Sequence, residues 1–223
     1  MISAKGLTRI YPLGESRITG LDAVDLEIAA GEMVLLTGVS GSGKSTLLSL
    51  LAGLDRPSAG ELTVAGRDLT RASGPSLDEY RRHVVGMVFQ SFNLMPTLDV
   101  LENVCLPGLL AGRSMAAVRK RAEALLEWLR LGPRLAHLPS QLSGGEMQRT
   151  AIARALINDP TVILADEPTG NLDSRNGAAV IGLLTELNRA SGKTVVIATH
   201  GGLADEAATR RIRLGDGKIL WDD

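Results

Sequence analysis

Residues 33–46 read MVLLTGVSGSGKST, and the architecture follows from them. Met33 to Thr37 is a short β-prone run without polar alternation, which suits a strand buried on both faces of a parallel sheet. It opens onto Gly38, Val39, Ser40, Gly41, Ser42, Gly43, Lys44, Ser45 and Thr46, and Thr46 to Ala52 continues as a helical run. The spacing is G-x-x-x-x-G-K-[ST], in the strand, loop and helix setting that gives this motif its meaning. Glycines let successive N–H groups turn inward around a β-phosphate. Lys44 neutralises β- and γ-oxygens, and the Ser45 hydroxyl is a ligand for Mg²⁺. The stretch predicts an α/β fold that holds a nucleoside triphosphate with its metal.

Three further apolar runs, Val84 to Phe89, Val162 to Ala165 and Val195 to Thr199, read as partners of the first strand. Open α/β sheets bind ligands beyond the carboxyl ends of their strands, so the residues after these runs are the site candidates. Val162-Ile-Leu-Ala leads into Asp166 and Glu167. Asp166 suits a contact to Mg²⁺, direct or through an intervening ligand, and Glu167 suits a base polarising water beside the γ-phosphate. Pro168 turns the chain out of the strand. His200 is placed to hydrogen-bond a γ-phosphate oxygen or the attacking water, whereas His83 and His137 lack such a setting and read as structural. Gln90 can reach Mg²⁺ or water through its carbonyl oxygen. A second anion-binding shape lies at QLSGGEMQR, residues 141–149, where Ser143, Gly144 and Gly145 stand at a helix start with unpaired N–H groups.

The N-terminal third reads differently. Leu21 to Ile28 alternates imperfectly and Glu61 to Val64 is a short β-prone piece, both better as antiparallel strands with one solvated face. Asp216-Gly217 between apolar pieces predicts a hairpin. In Ser114 to Leu131 the residues Val118, Ala122, Leu125, Leu126 and Leu129 mark one face of an amphipathic helix, which Gly132-Pro133 should end. Residues 91–142 thus read as a helix-rich insertion, with 1–90 and 143–223 forming the core of one domain. No internal repeat or low-complexity tract is visible.

The bulk numbers agree with one globular unit. There are 223 residues, 44% hydrophobic, with 24 Lys plus Arg against 25 Asp plus Glu, a net charge of -1. A basic surplus is missing, which argues against nucleic acid as a partner. Cys105 is the single cysteine, fits a reducing compartment and reads as a buried apolar residue. The N-terminus lacks the pattern of an export leader, and no apolar stretch approaches the roughly 18 residues of a membrane span.

Taken in order, GVSGSGKST, Gln90, LSGGE at Leu142 to Glu146, VILADE, NLD with Asp173, and His200 resemble the ATP-binding subunit of an ABC transporter over essentially the whole chain. The resemblance implies a P-loop NTPase core of RecA-like type, mostly parallel, with an antiparallel β subdomain and an inserted helical subdomain. It implies ATP and Mg²⁺ as cofactors and ATP hydrolysis as the activity. Tyr11 matches the aromatic residue that stacks on adenine, and Asp173 joins the nucleotide-binding set. Two copies would pack head to tail, each covering the other's nucleotide with Ser143, Gly144 and Gly145.

QSFNLMPTLDVLENVCLP, ADEPTGNLDS and YPLGESRITGLDAVDLEI look like the lipoprotein-releasing, macrolide-export and cell-division branch. That likeness implies a separate integral-membrane subunit and a peripheral location on the cytoplasmic face of the inner membrane. Phe92, Leu94, Met95 and Leu98 then line either a groove for a short partner helix or ordinary packing of the helical lobe. Glu146 stands where many members carry glutamine, and a carboxylate there should point away from the γ-phosphate. Gly201-Gly202 stand where an aspartate is common, which loosens the loop behind His200. The rival reading, a soluble ABC ATPase working on nucleic acid or the ribosome, lacks the coiled-coil insert or second cassette usual there.

Overall fold

The computed structural model describes residues 1–14 and 16–223; Glu15, inside the YPLGES stretch, lies outside them. The chain builds two sheets. Strands β1 (Ile2–Leu13) and β2 (Ser16–Ile28) pair antiparallel, and β4 (Ala59–Val64) and β5 (Arg67–Asp68) extend them in the order β2-β1-β4-β5. Sequence pattern anticipated only the second half of β2 and most of β4. Strand β1 escaped notice because its period-2 burial is broken: Ile2 and Ala4 face the core, then a bulge around Gly6 moves the next buried residue to Leu7. One extra residue flips every side chain that follows.

The larger sheet has the order β10-β9-β3-β8-β7-β6. Strands β3 (Met33–Thr37), β6 (Val85–Val88), β7 (Val162–Asp166), β8 (Thr194–Ala198) and β9 (Arg210–Gly215) run parallel. Strand β10 (Lys218–Asp222) returns antiparallel to β9. The turn between them puts Asp216 at φ 49° and Gly217 at φ 76°, both in the left-handed region that a tight hairpin requires.

Alternate residues of the central strands face different cores. Val34, Leu36, Leu164, Val196 and Ala198 join the antiparallel sheet and helices α1 (Lys44–Leu51) and α2 (Gly74–His83). Met33, Leu35, Ile163, Ala165, Val195 and Ile197 pack against α3 (Val100–Leu110), α4 (Met115–Trp128), α5 (Gly144–Leu156) and α6 (Ser174–Ser191). Burial on both faces is the reason these strands show no polar alternation.

Between residues 91 and 142 the described elements are α3, α4 and two short 3₁₀ turns. Ser114 caps α4, but the helix ends at Trp128, earlier than the Gly132-Pro133 signal suggested. Arg130 adopts φ 57°, and Leu131 N–H reaches back to the Leu126 carbonyl at 2.7 Å, so a left-handed arginine closes the helix and the proline comes too late to do so. Among the described residues no helix is long and apolar enough to cross a membrane.

Candidate nucleotide site

The loop after β3 is held open by glycine. Gly38 has φ 145°, and a Cβ there would lie 2.4 Å from the Leu214 carbonyl oxygen, so no other residue fits. Gly43, at φ 106°, turns the chain into α1. Lys44 is buried to 7% exposure and its Nζ donates to the carbonyls of Gly38 at 2.7 Å and Val39 at 3.0 Å, which draws the ammonium back along the loop. A cleft of about 720 Å³ surrounds this loop, lined by Tyr11, Ile18, Thr19, Gly20, residues 39–46, Gln90, Glu167 and His200.

The acidic side of the site comes from β7. Ser45 Oγ donates to Asp166 Oδ1 at 3.1 Å. Burial pushes the Asp166 carboxyl above its usual range, against the stabilising Ser45 bond, and the neighbouring Glu167 pushes in the same direction. Glu167 sits at φ 45°, an uncommon backbone for a non-glycine residue, tied by its N–H to the Ala198 carbonyl at 2.8 Å. Its Oε1 is 2.8 Å from Nδ1 of His200. The structure thereby joins Glu167 and His200, the ends of two neighbouring parallel strands, on one wall of the cleft. Gln90 lies on the same cleft, and its backbone carbonyl accepts from Asn171 Nδ2 at 2.9 Å.

These residues suit a magnesium nucleotide. Mg²⁺ binds through one or two protein oxygens together with phosphates and keeps water, so it needs no cage. Ser45, Asp166 and Gln90 supply such oxygens, and no cluster of three or more His, Cys, Asp or Glu residues that could form a cage occurs among the described residues.

Tyr11 stands at the rim. The Arg9 guanidinium lies 4.4 Å above its ring, and Asp55 accepts from both Tyr11 Oη at 3.0 Å and Arg9 Nε at 2.7 Å. Sequence reading singled out Tyr11 and missed Arg9 and Asp55. Arg9 lies two residues away on one strand, a spacing that shares a face, but nothing local points to Asp55.

Ser143, Gly144, Gly145 and Asp173 lie elsewhere and line no part of that cleft. Ser143 caps α5, accepting from Glu146 N–H at 3.3 Å, while Glu146 Oε2 accepts from both the N–H and the hydroxyl of Ser143 at 2.8 Å. Arg134 Nε donates to Glu146 Oε1 at 2.8 Å. The Ser143 N–H, with the Arg134 and Ser143 side chains, holds the Glu146 carboxyl down at about 2. One of its oxygens is thus turned back onto the helix start and the other onto Arg134.

Gly145 is packed as closely: a Cβ would lie 2.6 Å from Asn176 Oδ1. Asn176 in turn donates to both carboxylate oxygens of Asp173, the cap of α6, from N–H at 2.9 Å and Nδ2 at 2.6 Å. The serine-glycine turn and Asp173 form one block at two adjacent helix starts. Gly201 sits at φ −101°, with its N–H on Thr199 Oγ1 at 3.0 Å. The turn behind His200 thus keeps one polar contact, from Gly201 N–H to Thr199.

Of the four apolar residues read as lining either a groove or ordinary packing, Met95 is 47% exposed and Leu98 faces a cleft between α3 and α4. A groove beside Phe89, the residue before Gln90, is lined by Met87, Phe89, Asn93, Pro107, Arg154 and neighbours. The chain reverses at Phe92 and Asn93, both left-handed, and that reversal re-aims the side chains that follow.

With this geometry in view, the family model described as ABC transporter matches residues 21–170, which hold the phosphate loop, Gln90, the LSGGE stretch and the acidic pair. The chain belongs to the ABC transporter family. As an ABC ATPase it is similar to the macrolide export ATP-binding/permease protein MacB 1 of Aeromonas hydrophila, at 49% identity over all of this chain and 34% of that protein. It is 48% identical to the uncharacterized ABC transporter ATP-binding protein MJ1508 of Methanocaldococcus jannaschii, over 99% of this chain and 98% of the relative. The chain spans about a third of the length of the macrolide-export relatives it matches. Among solved structures, the ATP-binding cassette MJ0796 in a dimeric post-hydrolysis state bound to ADP and Pi matches with TM-score 0.94 and 42% identity, over 100% of this chain and 98% of that one.

Proposed function

We propose that this ABC ATPase hydrolyses ATP between two copies of itself and uses the resulting association and release to drive an integral-membrane subunit. The observation that carries this reading is the separation of two anion-binding turns: the phosphate loop lines a cleft from which Ser143, Gly144 and Gly145 are absent. A second copy, facing head to tail, would bring its own serine-glycine turn over the open side of the phosphates. The dimeric state of MJ0796 supports that arrangement.

Each residue then has a task. Backbone N–H groups of residues 39–46 cradle the phosphates, and Lys44 gives up its loop carbonyls to pair with β- and γ-oxygens. Ser45, Gln90 and Asp166 would hold Mg²⁺, which when bound would neutralise phosphate charge. Glu167 accepts a hydrogen bond from the attacking water and polarises it. His200, paired through Nδ1 with Glu167 at 2.8 Å, turns Nε2 towards the γ-phosphate and so fixes both partners in line. Tyr11 offers its free face to adenine while Arg9 covers the other. Asp173, fixed beside the serine-glycine turn, belongs to the surface that meets the second copy.

The macrolide-export likeness supports a membrane subunit that moves cargo by mechanical coupling, with this cassette peripheral on the cytoplasmic face. The groove beside Gln90 is the natural seat for a short helix of that subunit, with residues 91–142 acting as a helical subdomain. The test uses Glu167→Gln with MgATP, which should accumulate a dimer by light scattering. A persistent monomer counts against the sandwich, and failure to sediment with membranes when a candidate membrane subunit is co-expressed counts against the coupling.

A further inference from the structure

Arg154 lies on α5, eleven residues after Ser143, about 16 Å along one rigid helix. Its side chain leaves the helix and donates from Nη2 to the Phe92 carbonyl at 2.8 Å and from Nη1 to the Asn93 carbonyl. Those two residues, immediately beyond Gln90 and Ser91, hold φ values of 60° and 50°. Left-handed backbone at two successive non-glycine residues is strained and persists only where surroundings enforce it. The guanidinium has no ion pair among the described residues, and its burial lowers its pKa. A charge half-buried on carbonyl oxygens alone is a poor source of stability but a rigid, forked hydrogen-bond donor.

We propose that Arg154 is a positioning residue for Gln90: by gripping the Phe92 and Asn93 carbonyls it holds the backbone reversal that presents the Gln90 carboxamide to the metal site. It thereby transmits the orientation of the helix that begins at Ser143 into that site. A second grip acts from the other side, where Asn171 Nδ2 donates to the Gln90 backbone carbonyl at 2.9 Å, and a Cβ on Gly170 would lie 2.8 Å from Gln90 Nε2. The backbone from which the carboxamide projects is therefore held at residues 90, 92 and 93 by Arg154 on the helix that follows the serine-glycine turn and by Asn171 in the loop after the acidic pair. Movement of α5 would reach the metal site through Arg154 without any contact between the two.

The proposal rests on the reading of Gln90 as a metal-site residue, and the experiment separates the two. Mn²⁺ affinity of the full chain with a non-hydrolysable ATP analogue is measured by electron paramagnetic resonance for wild type, Gln90→Ala, Arg154→Met and the double variant. Amide hydrogen exchange at residues 92–95 is measured on the ligand-free chain. Arg154→Met is expected to weaken Mn²⁺ about tenfold, as loss of a group orienting a metal ligand does, and to add nothing in the Gln90→Ala background. Exchange at 92–95 should rise while the amides of α5 stay protected. Arg154→Lys, able to reach one carbonyl, should recover part of both effects, and it decides the matter if Arg154→Met does not fold. Wild-type Mn²⁺ affinity in a folded Arg154 variant, or losses that multiply in the double variant, overturn the proposal alone. Wild-type affinity in Gln90→Ala overturns the reading of Gln90 and the proposal with it.

Discussion

Single residues at this site carry opposing demands of stability and chemistry. Asp166 is half-buried with its carboxyl pushed upward by desolvation, so the ligand-free protein bears a partly desolvated charge that a bound cation would relieve. Asp166→Asn should leave the melting temperature of the ligand-free chain equal or higher while lowering ATP turnover by about 100-fold or more; a fall in melting temperature would show that the carboxylate is structural. Glu146 is the reverse case. Its folded value of about 2 lies below an ordinary carboxyl near 4.3, so its contribution is full above the ordinary value and is lost as pH falls through 2. Glutamine keeps the capping pattern without the charge. The stability advantage of wild type over Glu146→Gln, measured by urea unfolding, should narrow from about pH 4.5 downward, and a gap that ignores pH would rule the ion pair out as its source. The expectation that Glu146 turns away from a bound phosphate was legible from like-charge repulsion. Its partner Arg134 was not, since the two lie on separate turns with no repeating pattern between them.

At the scale of elements, packing between helices sets tolerances that local propensity does not reveal. Gly108 lies in the last turns of α3, where an added Cβ would meet Val118 Cγ1 at 2.8 Å and Cγ2 at 2.9 Å on the facing α4. Val118 is fully buried and β-branched, so it has no free rotamer to yield. Gly108→Ala should cost about 1 to 3 kcal/mol, and adding Val118→Ala should return part of that loss; strictly additive losses in urea unfolding would place the strain elsewhere. The amphipathic stripe of α4 was legible because Val118, Ala122 and Leu126 repeat at helical spacing. The closeness of α3 was not, because a glycine in a helix reads as a defect until its neighbour is seen. Strand β1 teaches the same lesson, since one bulge at Gly6 hides its alternation.

At the scale of the molecule, the phosphate loop and the serine-glycine turn work on different nucleotides in the proposed dimer, and mixing can expose this. Lys44→Ala disables the loop. Ser143→Asp places a carboxylate against the γ-phosphate while keeping a good helix cap, as the Asp99–Glu102 capping box of α3 demonstrates in this same chain. Each variant alone should lack turnover, but a mixture should regain up to about a quarter of wild-type ATPase, because half the dimers are mixed and each mixed dimer has one sound site. No recovery would mean that loop and turn serve one nucleotide within one copy. The contiguous signals were readable from residue order: strand, glycine loop and lysine in one run, acidic pair and histidine at strand ends, because neighbouring residues fix such short geometries whatever surrounds them. Spatial folding settled the rest: the Arg9–Tyr11–Asp55 cluster, the turn of Glu146 onto Arg134, and the grip of Arg154 on a backbone 61 residues away. Those are side-chain contacts between segments with no shared period, and they exist only once both cores have packed against the central sheet.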